Sequence, residues 1–205
     1  FGGYDPYSSS KGACEIAIQS WRHSFFNPAD YGNRHTVSLA SVRAGNVIGG
    51  GDWAKDRLIP DCIRALEATK VIDIRSPKAI RPWEHVLEPL SGYMFLAQKM
   101  WDDPTSYCEG WNFGPEAESV LTVWEVATAI IENFGFGELK DVSNSNALHE
   151  AMLLMLNINK AKTRLGWKPK LNAKECIALT SDWYKRYKTE NVYNLCVEEI
   201  NKFIE

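Results

Sequence analysis

Residues Thr36-Val37-Ser38-Leu39-Ala40-Ser41-Val42-Arg43 run without a break into Ala44-Gly45-Asn46-Val47-Ile48-Gly49-Gly50-Gly51-Asp52. The first eight are rich in β-branched and apolar side chains, the pattern of a strand buried in a parallel sheet. A helical segment stands in front of them. Pro6 closes the Gly2-Gly3-Tyr4-Asp5 turn into a helix start, and the helix continues through Glu15-Ile16-Ala17 to about Phe26. Asn27 to His35, with Pro28 and Gly32, reads as a loop. Helix, buried strand and glycine-rich loop in that order predict a doubly wound α/β domain, where ligands sit beyond the strand C-termini.

The remaining pattern agrees with an α/β chain. Helices are predicted over Leu58–Ala68, Val86–Trp101, Thr122–Phe134 and Ala173–Lys188. A final amphipathic helix, Val192–Ile204, carries Val192, Leu195, Cys196, Ile200, Phe203 and Ile204 on one side. Short strands are predicted at Val71–Arg75 and Gly110–Gly114. Leu153–Ile158 suits a strand or a helix start, and Thr163–Trp167, with Pro169 behind it, ends a helix. No internal repeat or low-complexity segment occurs.

Composition narrows the function classes. A formal net charge of −3 gives little support for binding nucleic acid or an anionic membrane surface. No apolar run approaches the length of a membrane span. The five cysteines, at 14, 62, 108, 176 and 196, are widely separated and form no C-x-x-C, which argues for free thiols in a reducing, cytoplasmic compartment. The four histidines are isolated, so no metal site is expected.

The chemistry centres on Tyr7 and Lys11. Four apart on a helix, they share a face with roughly 5–6 Å between Cβ atoms. An ammonium held that close stabilises phenolate over phenol, so the tyrosine can serve as a base near neutral pH. Moving a phenol from about 10 to about 7 requires roughly 4 kcal/mol. Spacing alone is weak, because Tyr184 and Lys188 repeat it within the charged stretch Ser181–Lys188, which reads as a solvated helix face. The turn and proline before Tyr7 set it apart, and the couple resembles the proton-transfer pair of nicotinamide-dependent short-chain oxidoreductases.

Four further segments sharpen the resemblance: Arg43–Trp53, Asp56–Asp61, Arg81-Pro82-Trp83-Glu84-His85-Val86 through Tyr93, and Gly110-Trp111-Asn112-Phe113-Gly114-Pro115. With them the chain resembles the extended short-chain dehydrogenase/reductase family of nucleotide-sugar enzymes, essentially throughout to about Lys188. Ile48-Gly49-Gly50 stands where most relatives carry Tyr-Gly-Pro. That departure points to the subgroup acting on CDP-glucose and away from dTDP-glucose dehydratases and UDP-galactose epimerases.

The resemblance implies the C-terminal part of a Rossmann-type doubly wound sheet with a smaller, mixed α/β substrate domain. Residues 1–52 would be a remnant of the NAD-binding domain. Residues 53–205 would form mainly the substrate domain, with about 80–115 returning to the sheet. It also implies NAD as cofactor and a homo-oligomer whose first helix pairs in a two-fold interface. The glycine-rich phosphate loop, a Ser/Thr donor and the acid/base pair for elimination would lie upstream of residue 1. The implied reaction is dehydration: Tyr7 takes the sugar 4-hydroxyl proton as hydride leaves C4, the 4-ketone acidifies C5, water is eliminated across C5 and C6, and hydride returns to C6. The product is CDP-4-keto-6-deoxyglucose, a deoxysugar and O-antigen precursor.

By the same resemblance, Tyr7 is the base, and Lys11 lowers its pKa and holds the nicotinamide ribose, with Gly45 also at the cofactor. Asn46, Arg57, Leu58, Ile74, Arg81 and Asn112 would meet the substrate. Arg57 and Arg81 suit a diphosphate, which calls for planar bidentate donors. Leu58 and Ile74 would flank the cytosine, although both are core residue types. For Asn46 a turn residue beside glycines is the lesser alternative, and Asn112 could equally bond a backbone carbonyl. Glu84 and His85 read as structural, and Trp53, Trp83 and Trp111 as packing residues. Two alternatives stay open: an NAD-dependent epimerase or dehydratase for another nucleotide sugar, and a non-catalytic sugar-nucleotide-binding fragment.

Overall fold

Helix α1 (Pro6–Ser24) begins where the sequence says it should. Asp5 is the N-cap, its carboxylate accepting the Ser8 N–H at 2.9 Å and the Ser8 hydroxyl at 2.7 Å, with Pro6 in the first turn. A cap of this kind contributes about 1 kcal/mol. The computed structural model describes residues 5–144 and 153–205, which form two compact units.

The first unit comprises the chain up to Arg43, Gly92–Asn112 and Asn159–Trp167. Its sheet has two parallel strands, β1 (Ser41–Arg43) and β6 (Gly110–Asn112), in the register Ser41↔Gly110, Val42↔Trp111, Arg43↔Asn112. The strand expected over Thr36–Arg43 is therefore parallel but shorter, because only its last three residues pair. It is also less buried than expected: Ser41 is covered, whereas Val37 and Val42 are exposed. Trp111 is fully buried, with the Lys160 ammonium 4.6 Å and the Arg164 guanidinium 5.3 Å from its ring. Both cations also pair with Glu109. The helix end foreseen near Thr163–Trp167 is a π-helical turn, Ala161–Leu165, closed by left-handed Gly166.

The second unit comprises Ala44–Ser91, Phe113–Ile158 and Lys168–Glu205. Among the described residues, three strand pairs lie within it. β2 (Asn46–Ile48) runs parallel to β5 (Trp83–His85), β3 (Ile72–Ile74) runs parallel to β8 (Leu139–Asp141), and β4 (Ile80–Arg81) runs antiparallel to β7 (Leu121–Thr122). Helices α2 (Leu58–Glu67), α4 (Val123–Phe134), α5 (Ala173–Arg186) and α6 (Val192–Ile204) fall close to their predicted bounds. Helix α3 (Leu87–Asp102) leads from this unit into the first. Thr122–Glu125 and Asn172–Glu175 form capping boxes that start α4 and α5. Leu153 makes a single bridge to Ile80, and no regular element is assigned over Leu153–Ile158.

One core holds this unit together, built from Ile59, Cys62, Ile63 and Leu66 of α2, Ile72 and Ile74 of β3, Val126, Ala127 and Ile130 of α4, and Cys176 and Ile177 of α5. Trp183 and Tyr184 belong to it as well, which corrects the reading of Ser181–Lys188 as a solvated face. Burial raises the Tyr184 phenol to about 12, the opposite of an activated tyrosine. No helix among the described residues is long and apolar enough to cross a membrane.

Candidate functional site

In the first unit, Tyr7 and Lys11 lie one turn apart on α1. The Lys11 ammonium sits 5.4 Å from the Tyr7 ring centroid, and the tyrosine is 71% exposed. Phenol and ammonium thus share one accessible face, as the spacing requires. One turn beyond Lys11 on the same side of α1, Glu15 ties the helix to β1 by an ion pair that sequence reasoning missed. Arg43 donates to both carboxylate oxygens of Glu15, at 2.7 and 2.5 Å, and Ser41 donates to the same group at 3.1 Å. The Arg43 hydrogen bonds hold the Glu15 carboxyl below its ordinary range. Arg43 also donates to the Asn112 side-chain oxygen at 3.1 Å, so one guanidinium joins α1, β1 and β6.

In the second unit, Gly45 and Asn46 open β2. The Asn46 N–H donates to the Pro82 carbonyl at 2.9 Å, which sets the start of the ladder to β5. A side chain on Gly45 would put its Cβ 2.5 Å from that same carbonyl oxygen, so only glycine allows this approach. The Gly45 N–H is taken by the Glu84 carboxylate at 2.6 Å. Arg81, on β4 just before Pro82, donates to the Ile80 carbonyl at 2.9 Å. Arg57 pairs with Asp52 at 3.2 Å on an exposed turn, and Leu58 next to it is half-buried against the core. Ile74 is only 2% exposed and packs within the core.

The glycine-rich loop is fixed by aromatic packing. A Cβ on Gly50 would lie 2.1 Å from the Trp183 ring, so the indole occupies the space a side chain would need. The Tyr184 hydroxyl donates to the Asp52 carbonyl at 2.6 Å. Trp53 meets Tyr184 edge-on at 5.3 Å, and Trp183 stacks on Tyr187 at 5.4 Å. Trp83 and Trp111 are buried packing residues, as expected, whereas Trp53 is partly exposed.

Glu84, His85 and Glu88 are all buried. Each glutamate uses one oxygen as an acceptor for backbone amides: Glu84 for Gly45, and Glu88 for Lys170 and Leu171 at 2.8 and 2.7 Å. The second oxygen of each, like His85 Nε2, has no hydrogen-bond partner among the described residues. Burial raises the Glu84 carboxyl to about 8, and the nearby Glu88 adds to the rise. Burial lowers the His85 imidazole to about 4 and raises Glu88. Both acidic residues sit within a segment that the sequence already singles out, although nothing in the sequence identifies their amide partners.

The chain resembles known proteins. Over 186 residues, 91% of the chain, it is 48% identical to CDP-glucose 4,6-dehydratase of Salmonella typhimurium. The chain is a relative of that dehydratase. It spans 52% of the relative's length. No family model matches it. Among solved structures, dTDP-glucose 4,6-dehydratase from Bacillus anthracis, in complex with NAD, superimposes with a TM-score of 0.73 at 20% identity, over 92% of this chain and 54% of that one. UDP-N-acetylglucosamine 4-epimerase from Methanobrevibacter ruminantium, in complex with UDP-N-acetylmuramic acid, gives 0.72 at 17%, over 91% and 56%. At these identities the structures establish the fold alone. That fold is the mixed α/β architecture of nucleotide-sugar dehydratases and epimerases.

Proposed function

We propose that the protein carrying this chain is an NAD-dependent nucleotide-sugar dehydratase that converts CDP-glucose to CDP-4-keto-6-deoxyglucose. The observation carrying the proposal is the 48% identity to a CDP-glucose 4,6-dehydratase across nine-tenths of the chain. The Tyr7–Lys11 couple supports it chemically, because dehydration through a 4-ketone begins with a base at the 4-hydroxyl.

Tyr7 would take that proton, and Lys11 would stabilise the phenolate and bond the nicotinamide ribose, since phenol and ammonium on one exposed face suit adjacent ribose hydroxyls. Bound NAD would supply the hydride acceptor for C4 and the hydride donor for C6. The described residues offer its pyrophosphate little: Asp5 already places a carboxylate on the N-terminus of α1, and Gly50 is covered by Trp183. Gly45 would lie beside the cofactor. Asn46, Arg57, Leu58, Arg81 and Asn112 would contact the nucleotide sugar, with Arg57 exchanging its Asp52 partner for a phosphate, whereas Ile74, expected beside the cytosine, is enclosed in the core and would not reach it. Residues 1–52 would serve the dinucleotide domain and 53–205 mainly the substrate domain, with about 80–115 returning to the sheet. The setting would be the cytoplasm, the product a deoxysugar precursor, and the assembly a homo-oligomer formed through the apolar face of α1.

The test is formation of a 4-keto sugar from CDP-glucose and NAD by that protein, with Tyr7→Phe as control. The variant should lose about 10²–10⁴-fold in kcat while keeping substrate affinity within about threefold. Near-normal kcat in the variant would remove Tyr7 as base. Preferential turnover of UDP- or dTDP-glucose would select a different substrate.

A further inference from the structure

The Gly45–Asn46 segment is held from two sides. Asn46 is the first residue of β2 to join the ladder, through its N–H on the Pro82 carbonyl. Gly45 lies one residue outside that ladder. Its N–H points to a side chain instead, Glu84 Oε1 at 2.6 Å, contributed by the neighbouring strand β5. The Pro82 carbonyl occupies the space a Gly45 Cβ would need. Glu84 itself is 1% exposed.

We propose that Glu84 is a positioning residue: its carboxyl fixes the Gly45 amide and thereby sets where Asn46 is presented to the nucleotide sugar. The inference rests on the reading of Asn46 as a substrate contact. A buried carboxylic acid is a costly way to accept one hydrogen bond unless the acceptor is needed there. An apolar side chain would leave the partly buried Gly45 N–H without this acceptor, at up to about 1–3 kcal/mol.

The charge state of Glu84 is consistent with this role. The groups facing it are Glu88 on α3 and the Cys176 thiol on α5, with His85 adjacent on its own strand. None of these is a cation near neutral pH, since burial keeps His85 neutral and raises Cys176 to about 12. A neutral acid can still accept from Gly45, and its unpartnered second oxygen is tolerated far better without charge. Length should therefore matter more than charge at this position.

Three variants of the 205-residue chain test the proposal. Glu84→Gln keeps the length and offers a neutral acceptor. Glu84→Asp keeps the acid and shortens its reach by one methylene. Asn46→Ala removes the side chain being positioned. In amide NMR spectra the Gly45 proton should stay downfield in the wild type and in Glu84→Gln, and should move clearly upfield in Glu84→Asp. Calorimetric titration with CDP-glucose should give affinities within about threefold for Glu84→Gln and about tenfold weaker for Glu84→Asp, the size of one hydrogen bond. On an Asn46→Ala background, Glu84→Asp should weaken binding no further. An unmoved Gly45 resonance in Glu84→Asp would overturn the proposal. So would an equal loss of affinity with and without Asn46. If the wild-type chain binds no CDP-glucose, the reading of Asn46 as a substrate contact made by this chain alone fails on its own. The Gly45 resonance and the Asn46 side-chain amide resonances, compared between wild type and Glu84→Asp, then decide the positioning.

Discussion

Replacing Glu84 by glutamine should remove a defined part of the pH dependence of stability. Burial raises the carboxyl from an ordinary value near 4.5 to about 8. Between those values the folded chain retains a proton that the unfolded chain has released. The unfolded state then binds fewer protons, so stability falls as pH rises, by about 1.4 kcal/mol per pH unit. The contribution is fully present below about pH 4.5 and is lost as pH passes about 8, amounting to roughly 4 kcal/mol between pH 5 and 8. His85 works in the opposite sense. With its imidazole lowered to about 4, it contributes stability above pH 6.5 that is lost as pH falls through 4. Measuring one chain would mix the two, whereas the difference between wild type and Glu84→Gln isolates Glu84. Urea unfolding at pH 5, 6, 7 and 8 should show the variant gaining on the wild type at each step. Parallel curves across that range would mean that Glu84 ionises like a surface glutamate and that the argument from its burial is wrong.

Two other perturbations address separate parts of the molecule. Gly50→Ala must displace the Trp183 indole, because its Cβ would begin 2.1 Å from the ring, and overpacking of this kind costs about 1–3 kcal/mol. A lowered urea midpoint with altered tryptophan fluorescence is expected, and an unchanged midpoint would show that the loop shifts freely. Ile16, Trp21 and Phe25 are exposed on or just after α1, so the chain should self-associate at micromolar concentration in sedimentation. Trp21→Glu should shift it toward monomer, and a wild-type monomer at that concentration would refute the expectation.

The helices were largely legible because each rests on signals local in sequence. Pro6, the Thr122–Glu125 and Asn172–Glu175 boxes, and apolar residues at helical spacing place α1 and α4–α6 within a residue or two. The strands β2, β4, β5, β7 and β8 were not foreseen. At two or three residues each, they are too short to show period-2 alternation, and their existence depends on partners distant in the chain. Tyr184 was misread for a different reason. Charges around it suggested a solvent face, yet Cys176, Ile177, Thr180, Trp183 and Tyr184 recur at helical spacing and form the inward side of α5. The Tyr7–Lys11 pairing follows directly from helical geometry, whereas the Gly45–Glu84 bond joins residues 39 positions apart and leaves no sequence signature.

These long-range bonds change what the glycine-rich loop means. Read as sequence, Gly49-Gly50-Gly51 suggests backbone laid open to a ligand or a flexible turn. In the fold, the indole of Trp183 fills the place of a Gly50 side chain, and the Tyr184 hydroxyl holds the Asp52 carbonyl. Trp53 then packs on Tyr184 and Tyr187, four residues ahead of Arg57. The loop is glycine-rich because the Trp183 indole crowds Gly50, Val86 crowds Gly49, and Gly51 takes a left-handed φ of 82°. Its position is set by residues more than a hundred positions away, on α5. A change in α5 can therefore move Arg57 without touching any ligand, and Glu84 exerts the corresponding control over Asn46 at the other end of β2. Both proposed polar contacts thus depend on buried side chains that would meet no substrate themselves.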